Sequence, residues 1–388
     1  MRNFEYYNPA HIVFGKGTRE NVGSTLKRHD AHKVLLHYGG GSIKKYGLYD
    51  TIVEQMKEAG IEYVELGGVK PNPRLSLVRE GIRICREQDV DFILAVGGGS
   101  VIDSAKAIAM GVPYEGDVWD FYTGKADPET VLPIGVVLTI PAAGSEASTG
   151  TVITNEEGWL KRAHNSLLII PWFAVMDPEL TYTLPAFQTA AGATDIMAHV
   201  IERYFTNEKH VDLTDRLCES TLRTVMKHVP IVLEDPENYD ARAEIMWAGT
   251  IAHNNLLDTG RIGDWASHDM EHELSGIYDV AHGAGLAVMI PAWMSYVHKH
   301  DLDRFIQFAM RVFDVEYDFD NPERTALTGI ARLKAYFQST GMPVTLAGLD
   351  IGEDRLEEMA HKCAGDHTVG NFVKLGEKDV LEIYKLAL

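Results

Sequence analysis

The 388-residue chain is poor in cysteine, short of positive charge and without long apolar runs, and each shortage excludes something. Its three cysteines, Cys85, Cys218 and Cys363, are far apart and odd in number, which argues against a disulfide framework and against a thiolate metal site. A reducing cytoplasm is the compartment expected from that usage. The formal net charge is −20, with 36 Lys and Arg against 56 Asp and Glu. Nucleic acid and anionic membrane surfaces repel such a chain, so neither is expected as a partner. No apolar stretch approaches the roughly 20 residues that span a bilayer. The opening MRNFEYYNPAHIVFGKG lacks the basic-then-apolar layout of a secretory signal.

What remains describes a globular protein long enough for two domains, with 45% hydrophobic and 24% charged residues. Up to about residue 185, short β-branched runs alternate with helical spacing. KVLLHY (33–38), IEYVELGG, DFILAVGGGS, LPIGVVLTIP (132–141) and WFAVMDP (172–178) read as buried strands. YDTIVEQMKEAG (49–60) and LVREGIRICREQ read as the helices between them. Alternation of this kind predicts a mostly parallel, Rossmann-like sheet with helices on both faces. After LPAFQ (184–188) only helical spacing is left. The expectation is an α/β dinucleotide-binding domain over 1–183 and an all-α domain over 184–388, divided near the Pro178 and Pro185 connector.

Three glycine- or hydroxyl-rich turns follow strands in the first half. In AVGGGSVIDSAKAIA, Gly97 and Gly98 let backbone approach a phosphate, and the first N–H groups of the next helix bind the anion. Ser100 is placed to cap that helix, and Asp103 to accept a ligand hydroxyl. The turn is neither Gly-x-Gly-x-x-Gly nor a P-loop, so a plain strand–helix connection is the competing reading. In HYGGGSIKKYG, Gly39, Gly40 and Ser42 stand where dinucleotide sites often carry an acid that grips the ribose diol. The missing carboxylate, with Lys44 and Lys45 close behind, tilts the expected cofactor toward NADP(H) over NAD(H). TIPAAGSEASTGTVIT (139–154) offers Thr139 and Ser145 for a carboxamide or ribose, or is an ordinary polar loop. Lys161 stands downstream, where a surface role competes with a phosphate contact.

The second half holds WASHDMEHELSGIYDVAHGAG, with His268, His272 and His282. Upstream, Asp195 and His199 are four apart and share a helix face. Asp195, His199, His268 and His282 together make an oxygen–nitrogen set suited to Fe(II) or Zn(II) rather than Mg(II) or Ca(II). Two alternatives compete. The histidines are incidental on a polar helix, or HDMEH is a variant of a metalloprotease His-Glu-x-x-His helix, which would need no phosphate cradle.

Taken together, GGGSVIDSAKAIA, PAAGSEAS, TLPAFQTAAGATDIMAHVIE and HDMEHELSGIYDVAHGAGLA resemble the iron-containing (group III) alcohol dehydrogenase family across essentially the whole chain. GGGSIKKYGLYD and the PNP at residues 71–73 look closest to its butanol dehydrogenase and aldehyde reductase branch. The resemblance implies a dehydroquinate-synthase-like architecture, with metal ligands at Asp195, His199, His268 and His282. It implies a non-ligand, proton-passing His272 near the nicotinamide, and cofactor contacts at Gly97, Gly98, Ser100, Asp103, Thr139, Ser145, Lys161 and Asn72. The implied chemistry is hydride transfer between NADP(H) and a primary alcohol or aldehyde such as butanol or butanal. The implied assembly is a homodimer. Rival readings are a zinc polyol dehydrogenase, a lyase with transient NAD oxidation and, from another class, a nucleotide sensor without turnover.

Overall fold

In the computed structural model, which describes residues 1–388, the chain divides into two compact units. The sheet unit comprises Tyr7–Leu184 with Glu237–Met246. The helical unit comprises Met1–Tyr6, Pro185–Pro236 and Trp247–Leu388. A single division at residues 183 and 184 therefore needs two exchanges, because the first six residues pack with the helices and Glu237–Met246 with the sheet.

The strands are β1 (His11–Phe14), β2 (Lys33–Tyr38), β3 (Glu62–Leu66), β4 (Phe92–Gly98), β5 (Ile134–Ile140), β6 (Gly150–Asn155), β7 (Leu160–Asn165) and β8 (Phe173–Met176). Between them lie α1 (Val22–Arg28), α2 (Ser42–Lys45), α3 (Leu48–Ala59), α4 (Leu75–Glu87), α5 (Gly99–Gly111) and α6 (Trp119–Tyr122). Six strands form one all-parallel sheet in the order β1-β8-β5-β4-β2-β3. Alternation along the strands splits the core. Leu35, Ile93, Ala95, Val136 and Ala174 pack with Val78 and Ile82 of α4 and Ile102 and Ile108 of α5. Val34, Leu36, Leu94, Val96 and Val175 pack with Val22 and Leu26 of α1 and Ile52 and Met56 of α3. With both faces covered, the strands read as continuous apolar runs.

Three strands, β1, β6 and β7, fall outside the strand pattern seen in the sequence. His11–Phe14 is an edge strand beside β8, too short to announce itself by periodicity. Part of the hydroxyl-rich TIPAAGSEASTGTVIT stretch is β6, which pairs antiparallel with β7 as a separate two-stranded sheet.

The remaining helices are α7 (Ala186–Tyr204), α8 (Asp212–Glu234), α9 (Tyr239–His253), α10 (Ala266–Tyr278), α11 (His282–Val297), α12 (Leu302–Phe313), α13 (Pro322–Ser339), α14 (Leu356–Ala364) and α15 (Glu377–Leu386). Phe205, Trp293, Phe305, Phe308 and Phe372 form an aromatic centre among them. Helices α7 and α11 touch closely: a Cβ on Gly283 would stand 1.9 Å from the Ala191 carbonyl oxygen. Helix α10 runs to Tyr278 and ends on Asp279 in the left-handed region at φ 56°. No helix is long and apolar enough to cross a membrane.

Candidate active site

In the sheet unit, β2 has β3 on one side and β4 on the other, so strand order reverses at the β2–β4 pair. In doubly wound sheets the crevice beyond the carboxyl ends of such strands is where ligands bind. The turns after β2 and β4 both stand at that edge, which brings Gly39, Gly40 and Ser42 to the same side as Gly97, Gly98 and Ser100. Thr139, near the end of the neighbouring β5, belongs to that edge too.

The glycines have different reasons for being there. A Cβ on Gly97 would lie 2.4 Å from Val101 Cγ2, and one on Gly98 2.8 Å from Ile140 Cβ. Around Gly40 and Gly41 there is open space, as a cradle for a ligand requires. Ser100 does not cap α5: the helix starts at Gly99, its N-cap is Gly98, and no side chain caps it.

Asp103 is half-buried and already engaged. Its Oδ1 accepts the Ser145 hydroxyl at 2.7 Å and its Oδ2 accepts the Val152 N–H at 3.1 Å. Asp103 and Ser145 thus tie α5 to the following turn and to β6, where the sequence suggested direct ligand contacts. Lys106, one turn on, is fully buried and donates from Nζ to the carbonyls of Ser148 and Gly150, each at 2.8 Å. Burial lowers its pKa to about 8 against the pull of Asp103 and Glu146. Lys161 is buried on β7, against the surface role that a lone lysine suggests. Asn72, in the PNP turn, is buried with φ 54° and accepts Arg74 Nη1 at its carbonyl at 2.8 Å. Lys44 is not a loose solvated lysine. Its Nζ lies 3.2 Å from Glu65 Oε2 and 4.4 Å from the Tyr49 ring centroid.

In the helical unit, α7 brings Asp195 and His199, α10 brings His268 and His272, and α11 starts at His282. One ligand atom each from Asp195, His268 and His282 gathers within 4.8 Å. His199 stands outside that set, one turn along α7, with its ring centroid 4.7 Å from that of His268. His272 belongs to a neighbouring group with Glu271 and His282, its ring centroid 5.8 Å from that of His282.

The donor set fits a divalent transition metal. Asp195 Oδ1 and His268 Nε2 are buried with no hydrogen-bond partner, a costly state that a cation relieves. Burial, with His199 and His282 nearby, holds the His268 imidazole well below its ordinary pKa, so it is neutral and offers a lone pair. Burial pushes the Asp195 carboxyl up, but His199, His282 and His268 together pull it below the usual carboxylate range.

Family models match nearly the whole chain: iron-containing alcohol dehydrogenase over residues 9–178, and the C-terminal domain of the Fe-containing alcohol dehydrogenase family over 189–388. The chain belongs to the iron-containing alcohol dehydrogenase family. It is an NAD(P)-dependent alcohol dehydrogenase, an oxidoreductase that interconverts alcohols and aldehydes. A probable NADH-dependent butanol dehydrogenase of Bacillus subtilis is 47% identical over 388 residues, covering all of both chains. The NADPH-dependent aldehyde reductase YqhD of Escherichia coli is 38% identical over 355 residues, 90% of each chain. The crystal structure of an NADH-dependent butanol dehydrogenase A from Thermotoga maritima superimposes with a TM-score of 0.97. It is 42% identical and covers 100% of this chain and 99% of that one.

Several residues around this dehydrogenase site escaped the sequence reading. Glu202 and Glu271 each accept a bond from a site histidine. His253, at the end of α9, has its ring centroid 4.2 Å from that of His199, the planes tilted by 42°. Glu271 stands three residues after His268 and Glu202 three after His199, yet the ring each holds, His282 and His268, belongs to another helix. Nothing local links Glu202 or His253 to a histidine on another helix.

Proposed function

We propose that this alcohol dehydrogenase interconverts a primary alcohol such as butanol with its aldehyde, with NADP(H) preferred. Asp195, His199, His268 and His282 hold Fe(II), with Zn(II) as the alternative. The observation that carries the metal assignment is the pair of buried, unpartnered atoms Asp195 Oδ1 and His268 Nε2 converging with His282. Bound there, the metal supplies Lewis-acid polarisation of the substrate oxygen, and the nicotinamide supplies or takes the hydride.

The chain's own residues do the rest. Gly97, Gly98 and Ser100 present backbone and hydroxyl to the pyrophosphate, with Gly39, Gly40 and Ser42 beside them at the β2–β4 reversal. Thr139 and Lys161 serve the nicotinamide half, Asn72 contacts the cofactor from the PNP turn, and Asp103 with Ser145 holds the turn after β5 in place. His272, one turn beyond His268, passes the alcohol proton to solvent through its ring nitrogens. The active form is a homodimer, which light scattering of the full chain checks.

The NADP(H) preference rests on the absence of a carboxylate from Gly39 to Ser42, with Lys44 one turn away. A second reading, NADH, is favoured by the pairing of Lys44 with Glu65, which competes for the lysine's charge. Initial rates of butanal reduction by metal-replete enzyme separate the two. A kcat/KM ratio of about tenfold or more for NADPH, roughly 1.4 kcal/mol of differential binding, supports the first. A ratio favouring NADH overturns it and leaves the metal assignment standing.

A further inference from the structure

Each histidine of the proposed quartet has its Nδ1 beside an oxygen acceptor. On α7, His199 Nδ1 lies 2.8 Å from the Asp195 carbonyl of its own helix. His268 Nδ1 on α10 lies 3.0 Å from Glu202 Oε1, which α7 supplies. His282 Nδ1 at the start of α11 is bonded to Glu271 Oε2, which α10 supplies. A neutral imidazole that donates from Nδ1 has its lone pair on Nε2, so all three anchors select the same tautomer.

We propose that Glu202 and Glu271 are positioning residues of the metal centre: each grips one ligand imidazole by Nδ1, turns its Nε2 to the ion and sets how tightly the ion binds. The inference rests on the metal assignment proposed above. The two carboxylates act in relay along the chain, α7 holding the ligand on α10 and α10 holding the ligand on α11.

Both acids are committed to the task. Glu202 is buried on α7, and besides His268 Nδ1 it accepts the backbone N–H of Trp265 at 2.7 Å and of His268 at 3.0 Å. These are orphan donors at the start of α10, whose N-cap, Trp265, offers no side-chain cap and sits at φ 75°. One carboxylate thus anchors both the helix that carries His268 and the ring itself. Glu271 is fully buried, and its other oxygen accepts the Ser275 hydroxyl. Gly285 makes room for it, since a Cβ there would stand 2.8 Å from Glu271 Oε1. The group formed by Glu271, His272 and His282 is thereby better read as support for His282 than as a second cation site.

The test is metal affinity, measured on the full chain after chelation by titrating Co(II) or Zn(II) against a chromophoric competitor. Wild type is compared with Glu271→Gln, Glu202→Gln and His268→Ala. Glu271→Gln is the cleaner variant, because an amide can still accept from His282 and donate to Ser275 while losing the charge. Outer carboxylates of this kind set affinity by about 10–100-fold. Both Gln variants are expected to bind the ion that much more weakly, with a Co(II) spectrum that keeps its wild-type form and an unchanged apo melting temperature for Glu271→Gln. A folded Glu271→Gln protein whose Kd lies within about twofold of wild type overturns the proposal, whatever becomes of Glu202→Gln. If instead His268→Ala binds as tightly as wild type, the ligand assignment itself has failed.

Discussion

The Ser145 hydroxyl donates to Asp103 Oδ1 at 2.7 Å, joining the turn after β5 to helix α5. The same carboxylate accepts the Val152 N–H and, ahead of Glu146, favours the charged form of buried Lys106. Removing it strands a buried cation and an unpaired backbone donor. Asp103→Ala is expected to lose about 3 kcal/mol of stability, against about 1 kcal/mol for Ser145→Ala, measured by urea unfolding. The KM for the cofactor should rise more than kcat falls, because the turn loses its position rather than its chemistry. Equal, small losses in both variants would show that Asp103 is not the anchor.

His37 makes stability depend on pH. The ring is fully buried in β2 between the Leu66 carbonyl at 2.8 Å and Ser104 Oγ at 2.9 Å, and burial lowers its pKa to about 4. Between pH 6.5 and about 4 the unfolded chain binds a proton that the folded chain excludes. Stability therefore falls as pH drops through that window, by up to about 3 kcal/mol from this residue. Subtracting the unfolding free energies of His37→Gln from those of wild type isolates the effect. A difference that is flat from pH 7 to 4.5 would refute it.

The two neighbouring histidines of α10 should separate metal binding from proton transfer. His268→Ala is expected to lose bound metal and turnover together. His272→Ala is expected to keep its metal while kcat drops by about 10²-fold or more. Metal analysis of the purified variants, alongside rates, decides this. An empty site in His272→Ala would move that residue into the ligand set.

Gly283 is expected to tolerate no side chain. The 1.9 Å approach of its Cβ position to the Ala191 carbonyl means that even alanine must push α11 away from α7. Adjacent His282 moves with the helix. Gly283→Ala should weaken metal binding and cost roughly 1–3 kcal/mol of stability, whereas Gly40→Ala, in open space, should do neither. Chelator competition and thermal unfolding of both variants check the contrast.

Much of this enzyme was legible in the chain. Strands β2, β4, β5 and β8 announce themselves because a sheet covered on both faces demands unbroken apolar runs, and glycine turns follow the strands that need them. Asp195 with His199 and His268 with His272 could be paired because four residues make about one helical turn, a distance that sequence encodes directly. Other relationships have no local signature. His11–Phe14 is a strand only because β8 offers it an edge. Ser100 leaves the cap to Gly98 because the chain enters α5 two residues earlier. Asp103 has no local signature of its bonds to Ser145 and to the Val152 N–H, which form only when β6 folds back on α5. Glu202 stands 66 positions before the ring it holds, and that partnership exists only where α7 crosses α10. Spacing within one helix or strand is set by backbone geometry, so the sequence alone determined most of the elements and which residues offer donor atoms. Which acceptor stands behind each donor depends on how the helices pack, and only the tertiary structure decided that.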